Sequence, residues 1–87
     1  MRNILLMLKA WRDLAWWLQN DIKCVKKIYK LLDNTSRSPF EGLGQPEALK
    51  SNYSGYWSRR INLEHRMVYK VEEFQIVVHS LYGHYQD

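Results

Sequence analysis

The sequence contains little of what stabilises or activates several classes of small protein. It has one cysteine, Cys24, in 87 residues, which excludes an intramolecular disulfide and a cysteine-rich zinc finger. A single thiol also fits a reducing compartment, so we expect a cytoplasmic protein. The apolar run at residues 4–8 is too short to span a membrane and lacks a small-residue cleavage site. We therefore expect neither a membrane segment nor an export signal.

Motifs for metal, nucleotide and acyl-transfer chemistry are missing as well. The histidines His65, His79 and His84 do not have the spacing of metal ligands on a helix, and no acidic cluster accompanies them. Gly42 and Gly44 are not followed by the Lys-Ser of a phosphate-binding loop, and no serine lies in a nucleophile elbow. We therefore expect no metal and no other cofactor.

Positive charge and aromatic rings are what the sequence has in excess. Lys and Arg number 13 against 9 Asp and Glu, which gives a net charge of +4, and 14% of the residues are aromatic. This composition suits a surface that binds a polyanion and stacks on bases, but it also suits a core that needs large side chains. The length predicts one domain, residues 1–87, with a shallow surface groove rather than a deep chamber.

Apolar spacing predicts a strand followed by two helices. Residues 4–8 are expected to form a first strand buried on both faces. For the first helix, the spacing predicts a core-facing stripe made of Leu8, Trp11, Ala15 and Leu18. The second helix, capped by Asn20 or Asp21, has an apolar face made of Ile22, Val25, Ile28 or Tyr29, and Leu32. The polar stretch 33–38 is expected to end that helix.

The other side of the second helix is basic. Its lysines are Lys23, Lys26, Lys27 and Lys30. Two pairs of them are like charges at i, i+4, and each pair costs a few tenths of a kcal/mol. The sequence leaves two interpretations open, an ordinary solvated face and a landing patch for an anionic partner.

The second half of the chain predicts a rigid loop and then an antiparallel meander. Proline and glycine recur within residues 39–46, which favours a turning loop. Alternation predicts strands over 57–62 and 65–71, and the apolar run 75–82 predicts a third strand covered on both faces. The fold class is therefore α+β, with both helices packed on one face of a sheet. Around that sheet we expect a set of cations made of Lys50, Arg59, Arg60, Arg66 and Lys70.

One class of reaction remains that needs neither metal nor cofactor. RNA has a 2′-hydroxyl beside each phosphate, so a base, an acid for the leaving 5′-oxygen and a cation for the phosphate are enough to cleave it. Glu47, Arg66 and His84 are residues of the required types. Each also has an ordinary interpretation: an exposed loop carboxylate, an arginine paired with Glu64 or Glu72, and a histidine in an exposed tail.

Three segments and a closing dipeptide form a specific combination of motifs. They are SPFEGLGQPEALK at 38–50, GYWSRRI at 55–61, EHRMVY at 64–69, and His84-Tyr85. Together they resemble the YoeB toxin family, which belongs to the RelE-like toxins of bacterial toxin–antitoxin systems. The resemblance runs essentially from end to end.

This resemblance implies a RelE-like, microbial-ribonuclease-type fold and a ribosome-dependent endoribonuclease that cuts mRNA and stops translation. It implies Glu47 as the general base, His84 as the general acid and Arg66 as the cation that stabilises the phosphate. The further RNA-binding positions that it implies are Lys50, Arg60 and Tyr85.

The resemblance also implies partners. They are an antitoxin of the YefM type, the ribosome with its mRNA, and a second copy of the chain in a homodimer. Two other functions stay open on the same fold, a non-catalytic RNA-binding module and a toxin that poisons gyrase. The set of Glu47, Arg66 and His84 separates the ribonuclease from the gyrase-poisoning toxin, which does not need it. An RNA-binding module should bind free RNA with a steep salt dependence and cut nothing.

Overall fold

The computed structural model describes residues 1–84, which form two α-helices, a one-turn 3-10 helix (Ser51–Tyr53) and a five-stranded sheet. In chain order the elements are β1 (Asn3–Leu6), α1 (Leu8–Asn20), α2 (Ile22–Arg37), β2 (Glu47–Ala48), β3 (Tyr56–Arg60), β4 (Arg66–Val71) and β5 (Gln75–Ser80). The strands lie in the order β1-β5-β4-β3-β2. β1 is parallel to β5, and the other neighbours are antiparallel.

Both helices pack on one face of this sheet, which confirms the predicted α+β class. The core between the layers contains Leu14 and Trp17 from α1, Ile28 from α2, and Met67 and Tyr69 from β4. Neither α1 nor α2 packs on the opposite sheet face, which we call the open face. None of the helices within residues 1–84 is long and apolar enough to cross a membrane.

Two predictions about strand burial are wrong. β1 lies at the edge of the sheet, where Ile4 is 37% and Leu5 44% exposed, so it is not buried on both faces. β5 is a central strand that ends at Ser80, and its side chains alternate between buried and half-buried. Because the helices cover only one face, Val77 and His79 on the other face stay partly accessible.

The core-facing stripe of α1 is also not the predicted one. Leu8, Trp11 and Leu18 are 60%, 62% and 53% exposed. The buried residues are Ala10, Leu14 and Trp17. The helix is apolar on more than one side, so spacing alone does not select the buried stripe. A contact distant in sequence does so, because Trp17 Nε1 donates a 2.7 Å hydrogen bond to the carbonyl of Leu81.

α2 follows its prediction on the apolar side but not at its end. Val25, Ile28 and Leu32 are buried as predicted, whereas Ile22 and Tyr29 are exposed and Leu31 is buried instead. The helix also continues through the polar stretch to Arg37. Hydrogen bonds explain this extension. The buried hydroxyl of Thr35 donates to the carbonyl of Leu31 at 2.6 Å, and that of Ser36 donates to the carbonyl of Arg2.

Arg59 is not among the cations of the sheet surface, contrary to the sequence expectation. It is fully buried on the helix side of β3. Its N–H groups donate to Asn34 Oδ1, to Tyr69 Oη and to the carbonyls of Ser38, Glu41 and Leu43, at 2.5–3.1 Å. Five donors and five acceptors are matched, so this side chain fixes the loop between α2 and β2.

Candidate functional site

Three of the candidate residues lie on the open face of the sheet. Directly opposed residues in a sheet point to the same face, as do residues two apart along a strand. Glu47 on β2 is opposite Ser58 on β3. Two residues beyond Ser58, Arg60 is opposite Arg66 on β4. Met67, the next residue of β4, points into the core, so Glu47, Arg60 and Arg66 all point away from the helices.

Arg60 and Arg66 form a cross-strand pair of like charges. Such a pair opposes folding by about 0.2–1 kcal/mol. Within residues 1–84 neither arginine forms a salt bridge that would offset the repulsion. Burial lowers the pKa of Arg66, the charge of Arg60 lowers it further, and the carboxylate of Glu47 acts in the opposite direction. Two guanidinium groups that form no ion pair within residues 1–84 are suited to hold an anion.

The orientation of the Arg66 guanidinium is fixed by the turn between β3 and β4. Its Nη1 donates to the carbonyls of Asn62, Leu63 and His65 at 2.8, 3.3 and 3.2 Å. Asn62 stabilises this turn, since its Oδ1 accepts hydrogen bonds from the backbone N–H groups of Glu64 and His65. The structure gives Nε and Nη2 of Arg66 no hydrogen bond to any described residue. One edge of the guanidinium is therefore held, and the other is not bonded by any residue from 1 to 84.

His84 comes next to Arg66 through the backbone. The N–H of Arg66 donates to the carbonyl of Gly83 at 2.8 Å, and His84 is the following residue. Gly83 has φ +111°, a backbone conformation that residues other than glycine rarely adopt. His84 is exposed. His84 thus directly follows the residue that is bonded to Arg66, and its imidazole is accessible.

The segment before His84 is anchored by residues that the sequence analysis did not assign to the site. At Leu81, the N–H donates to Asp13 Oδ2 at 2.9 Å and the carbonyl accepts from Trp17 at 2.7 Å. At Gly83, the N–H donates to His65 Nδ1 at 3.0 Å. Asp13, Trp17 and His65 thus hold the segment from α1 and from the start of β4. No local motif marks Asp13 or Trp17, because their partners lie more than 60 residues away.

His65 makes further contacts through its ring. The ring centroids of His65 and Tyr82 are 4.2 Å apart, and those of His65 and Trp17 are 5.1 Å apart in an edge-to-face arrangement. The Nε2 atom is 3.9 Å from Glu64 Oε2. His65, directly before β4, therefore both packs against the segment and accepts a hydrogen bond from it.

One described candidate residue, Lys50, is not brought to this cluster. β2 runs antiparallel to β3, and the N–H of Leu49 donates to the carbonyl of Tyr56. Lys50 therefore lies toward the start of β3, away from Arg60, and it is exposed. Tyr85 lies outside the described residues. Among residues 1–84, no three His, Cys, Asp or Glu side chains come together as a metal-binding group.

Comparison with known proteins identifies the family of this chain. The model of the YoeB-like toxin of bacterial type II toxin-antitoxin systems matches residues 6–85. The chain belongs to the YoeB-like toxin family. The toxin YoeB of Synechocystis sp. (strain ATCC 27184 / PCC 6803 / Kazusa) is 49% identical over 77 residues, which cover 88% of this chain and 90% of the relative.

Solved structures of YoeB toxins agree with this membership. The YoeB dimer from Staphylococcus aureus matches with a TM-score of 0.89 and 48% identity, over 97% of this chain and 98% of that one. YoeB in the heterotetrameric YoeB-YefM toxin-antitoxin complex from the same organism matches with a TM-score of 0.87 and 48% identity, over 98% and 99%. The resemblance to YoeB toxins and the expected RelE-like fold are therefore confirmed.

Proposed function

We propose that this toxin is a ribosome-dependent endoribonuclease that cuts mRNA in the ribosomal A site and thereby inhibits translation. The observation that carries the proposal is the opposed pair of Arg60 and Arg66, with Glu47 on the same sheet face and His84 one residue beyond the Gly83–Arg66 hydrogen bond. This is a carboxylate, an imidazole and a phosphate-binding cation around an open surface. It is the set of groups that RNA cleavage without a metal requires.

The proposed reaction uses the 2′-hydroxyl of the RNA as nucleophile. Glu47 takes the proton of this hydroxyl, and its oxygen attacks the adjacent phosphorus. As the new P–O2′ bond forms, the P–O5′ bond breaks, and the imidazolium of His84 gives its proton to the leaving 5′-oxygen. The products are a 2′,3′-cyclic phosphate and a 5′-hydroxyl. Arg66, held on one side by carbonyls, directs its other side at the phosphate as negative charge builds up.

The openness of the site is the reason for ribosome dependence. Glu47, Arg60 and His84 are all exposed, so these three groups are accessible to an RNA chain but do not enclose it. A scissile phosphate must be aligned with base and acid before reaction, and holding it there supplies much of the catalysis. In our proposal the ribosome holds the mRNA, while Arg60, Lys50 and Tyr85 bind it locally.

We also propose a homodimer and a YefM-type antitoxin as partners, in the cytoplasm, where translation takes place. The Staphylococcus aureus structures, a YoeB dimer and a YoeB-YefM complex, support both partners. Large apolar side chains at the surface of α1, such as Trp11 (62% exposed) and Trp16 (42% exposed), are typical of interfaces. Light scattering after size exclusion should give twice the chain mass alone and a larger complex with antitoxin.

The function is tested in a translation reaction with mapping of mRNA ends. Wild type should cut mRNA only with ribosomes present, whereas Glu47→Gln and His84→Gln should each slow cleavage by at least about 10²-fold. Glu73→Gln, at an exposed position in the turn before β5, is the matched control and should cut normally. Undiminished cleavage by both site variants would refute the roles. Growth arrest with DNA breaks and intact mRNA would instead support gyrase poisoning.

A further inference from the structure

The basic side of α2 forms one wall of a groove. Lys23, Lys26, Lys27 and Lys30 line it together with Leu31, Leu43 and Gly44, and its volume is about 460 Å³. We call it the lysine groove. The lysines are spaced at i, i+3, i+4 and i+7, so they share one helix face and extend about 10 Å along it. All four are exposed.

The charge of the lysine groove is uncompensated. In the part of the chain that the structure describes, none of its four lysines forms a salt bridge. Lys23 and Lys27 repel each other across one helical turn, as do Lys26 and Lys30. A helix face that serves only to keep the protein soluble can carry charges of both signs, which avoids this repulsion. The groove therefore has the electrostatic character of a binding surface for an anion.

The lysine groove borders the candidate site. Gly44 lines the groove, and its carbonyl accepts the backbone N–H of Arg60 at 2.7 Å. The fit at this point is close, because a Cβ on Gly44 would lie 2.8 Å from Leu31 Cδ2 and 3.1 Å from the carbonyl oxygen of Arg60. One tightly packed loop thus joins the lysine groove to the strand that carries Arg60.

We propose that the lysine groove binds the phosphate backbone of ribosomal RNA while the open face acts on mRNA. This inference rests on the proposed function, since it names the surface with which the toxin holds the ribosome. Ammonium groups along a helix act as mobile point charges, which suit a chain of phosphates. A peptide would need apolar pockets for anchoring side chains. The lining offers little of that kind, since Leu31 is 1% exposed and only Leu43, at 51%, is accessible.

The test measures binding to purified bacterial ribosomes that carry no mRNA, over a range of salt concentrations. Lys26→Gln/Lys30→Gln should bind about tenfold more weakly at about 150 mM salt, and the slope of log K against log salt should flatten by about 1 to 2. Arg12→Gln/Arg37→Gln removes the same charge at exposed positions outside the groove and should bind as wild type does. Circular dichroism and thermal melting check that both variants are folded.

Each outcome decides the inference. An equal loss in both double variants would overturn it, because net charge rather than the groove would then govern binding. Unchanged ribosome binding by Lys26→Gln/Lys30→Gln would overturn it too. Binding to poly-glutamate is measured as well, and a loss of that binding alone would overturn the inference by assigning the groove to an acidic peptide. Since this readout needs no cleavage, it is separate from the ribonuclease proposal. Groove-dependent binding without mRNA cleavage would refute the proposed function alone.

Discussion

His65 accepts at Nδ1 a hydrogen bond from the backbone N–H of Gly83 at 3.0 Å, and His84 is the next residue in the chain. Only a ring without a proton on Nδ1 can accept this bond, so the structure requires the neutral tautomer with its proton on Nε2. The bond joins the start of β4 to the segment that brings His84 to Arg66. His65 is therefore a positioning residue for the proposed general acid.

Replacing His65 with Phe keeps a ring against Trp17 and Tyr82 but removes the acceptor. We expect kcat for mRNA cleavage to fall about ten- to a hundredfold with little change in KM, because a small displacement of the acid affects the reaction and not RNA binding. Glu64→Gln is the control, since that carboxylate lies 3.9 Å from Nε2 and does not touch the Gly83 bond. An unchanged kcat for His65→Phe would show that His84 is positioned by other means.

The pair of Arg60 and Arg66 predicts opposite effects on stability and activity. Arg60→Gln removes the cross-strand repulsion and should stabilise the fold by about 0.2–1 kcal/mol, which raises Tm by a few degrees. The same change should raise KM for ribosome-bound mRNA. Thermal melts and cleavage kinetics on one preparation measure both effects. A lower Tm would mean that Arg60 has a stabilising partner and that the pair is not an unpaired anion site.

Arg66→Lys should reduce kcat. A lysine keeps the charge but cannot bond the turn carbonyls with one edge and a phosphate with the other, as the guanidinium can. We expect a loss of about 10²-fold or more in kcat. Lys70→Arg, the reverse exchange on the same strand, is the control and should leave kcat unchanged. Full activity of Arg66→Lys would show that Arg66 contributes only its positive charge and not its guanidinium geometry.

Local patterns of the sequence were sufficient to predict most elements and the facing of β4. Alternation predicted a strand over 65–71 in which Arg66 and Met67 point to opposite faces of the sheet. In β4, Met67 points into the core and Arg66 to the other face. The facing is local information, because a strand has a period of two whatever its neighbours are. The position of β1 in the sheet is not local. An apolar run shows that a strand forms, but it does not show whether that strand lies at the centre or at the edge.

What the sequence did not reveal depends on contacts distant along the chain. The buried stripe of α1 is selected by the bonds of Asp13 and Trp17 to Leu81. The nearness of His84 to Arg66 follows from one backbone bond and the positive φ of Gly83. Arg59 was expected at the surface because arginine usually is. Its burial requires five acceptors, and most of them come from a loop whose path the sequence pattern does not define.

The buried Arg59 predicts a large loss of stability on conservative replacement. Lys has three donors and no planar fork, so Arg59→Lys would leave acceptors of the 38–43 loop unsatisfied and a charge poorly paired. We expect a loss of about 3 kcal/mol or more in the free energy of unfolding. Arg37→Lys, at the exposed pair with Asp33, should cost less than about 0.5 kcal/mol. Denaturant titration measures both, and equal costs would contradict the role given to the buried network.

Tyr69 predicts a loss of stability at alkaline pH. Burial raises the pKa of Tyr69, while the hydrogen bond and charge of Arg59 act in the opposite direction without cancelling the rise. The folded state therefore holds the phenol proton to a higher pH than the unfolded chain, whose tyrosines titrate near about 10. The stabilisation is complete below about pH 10 and is lost as pH rises through the pKa of the folded state. Denaturant titrations across this range should show a falling free energy of unfolding.

Tyr69→Phe separates this effect from the titration of other groups. In the wild type, the Tyr69 hydroxyl donates to the carbonyl of Pro39 at 2.7 Å and accepts from Arg59 Nε at 3.1 Å. The variant lacks both hydrogen bonds. We expect a cost of about 1–3 kcal/mol at pH 7 and a smaller decline above about pH 10. The difference between wild type and variant should therefore narrow with rising pH. A constant difference would show that Tyr69 does not titrate in that range in either state.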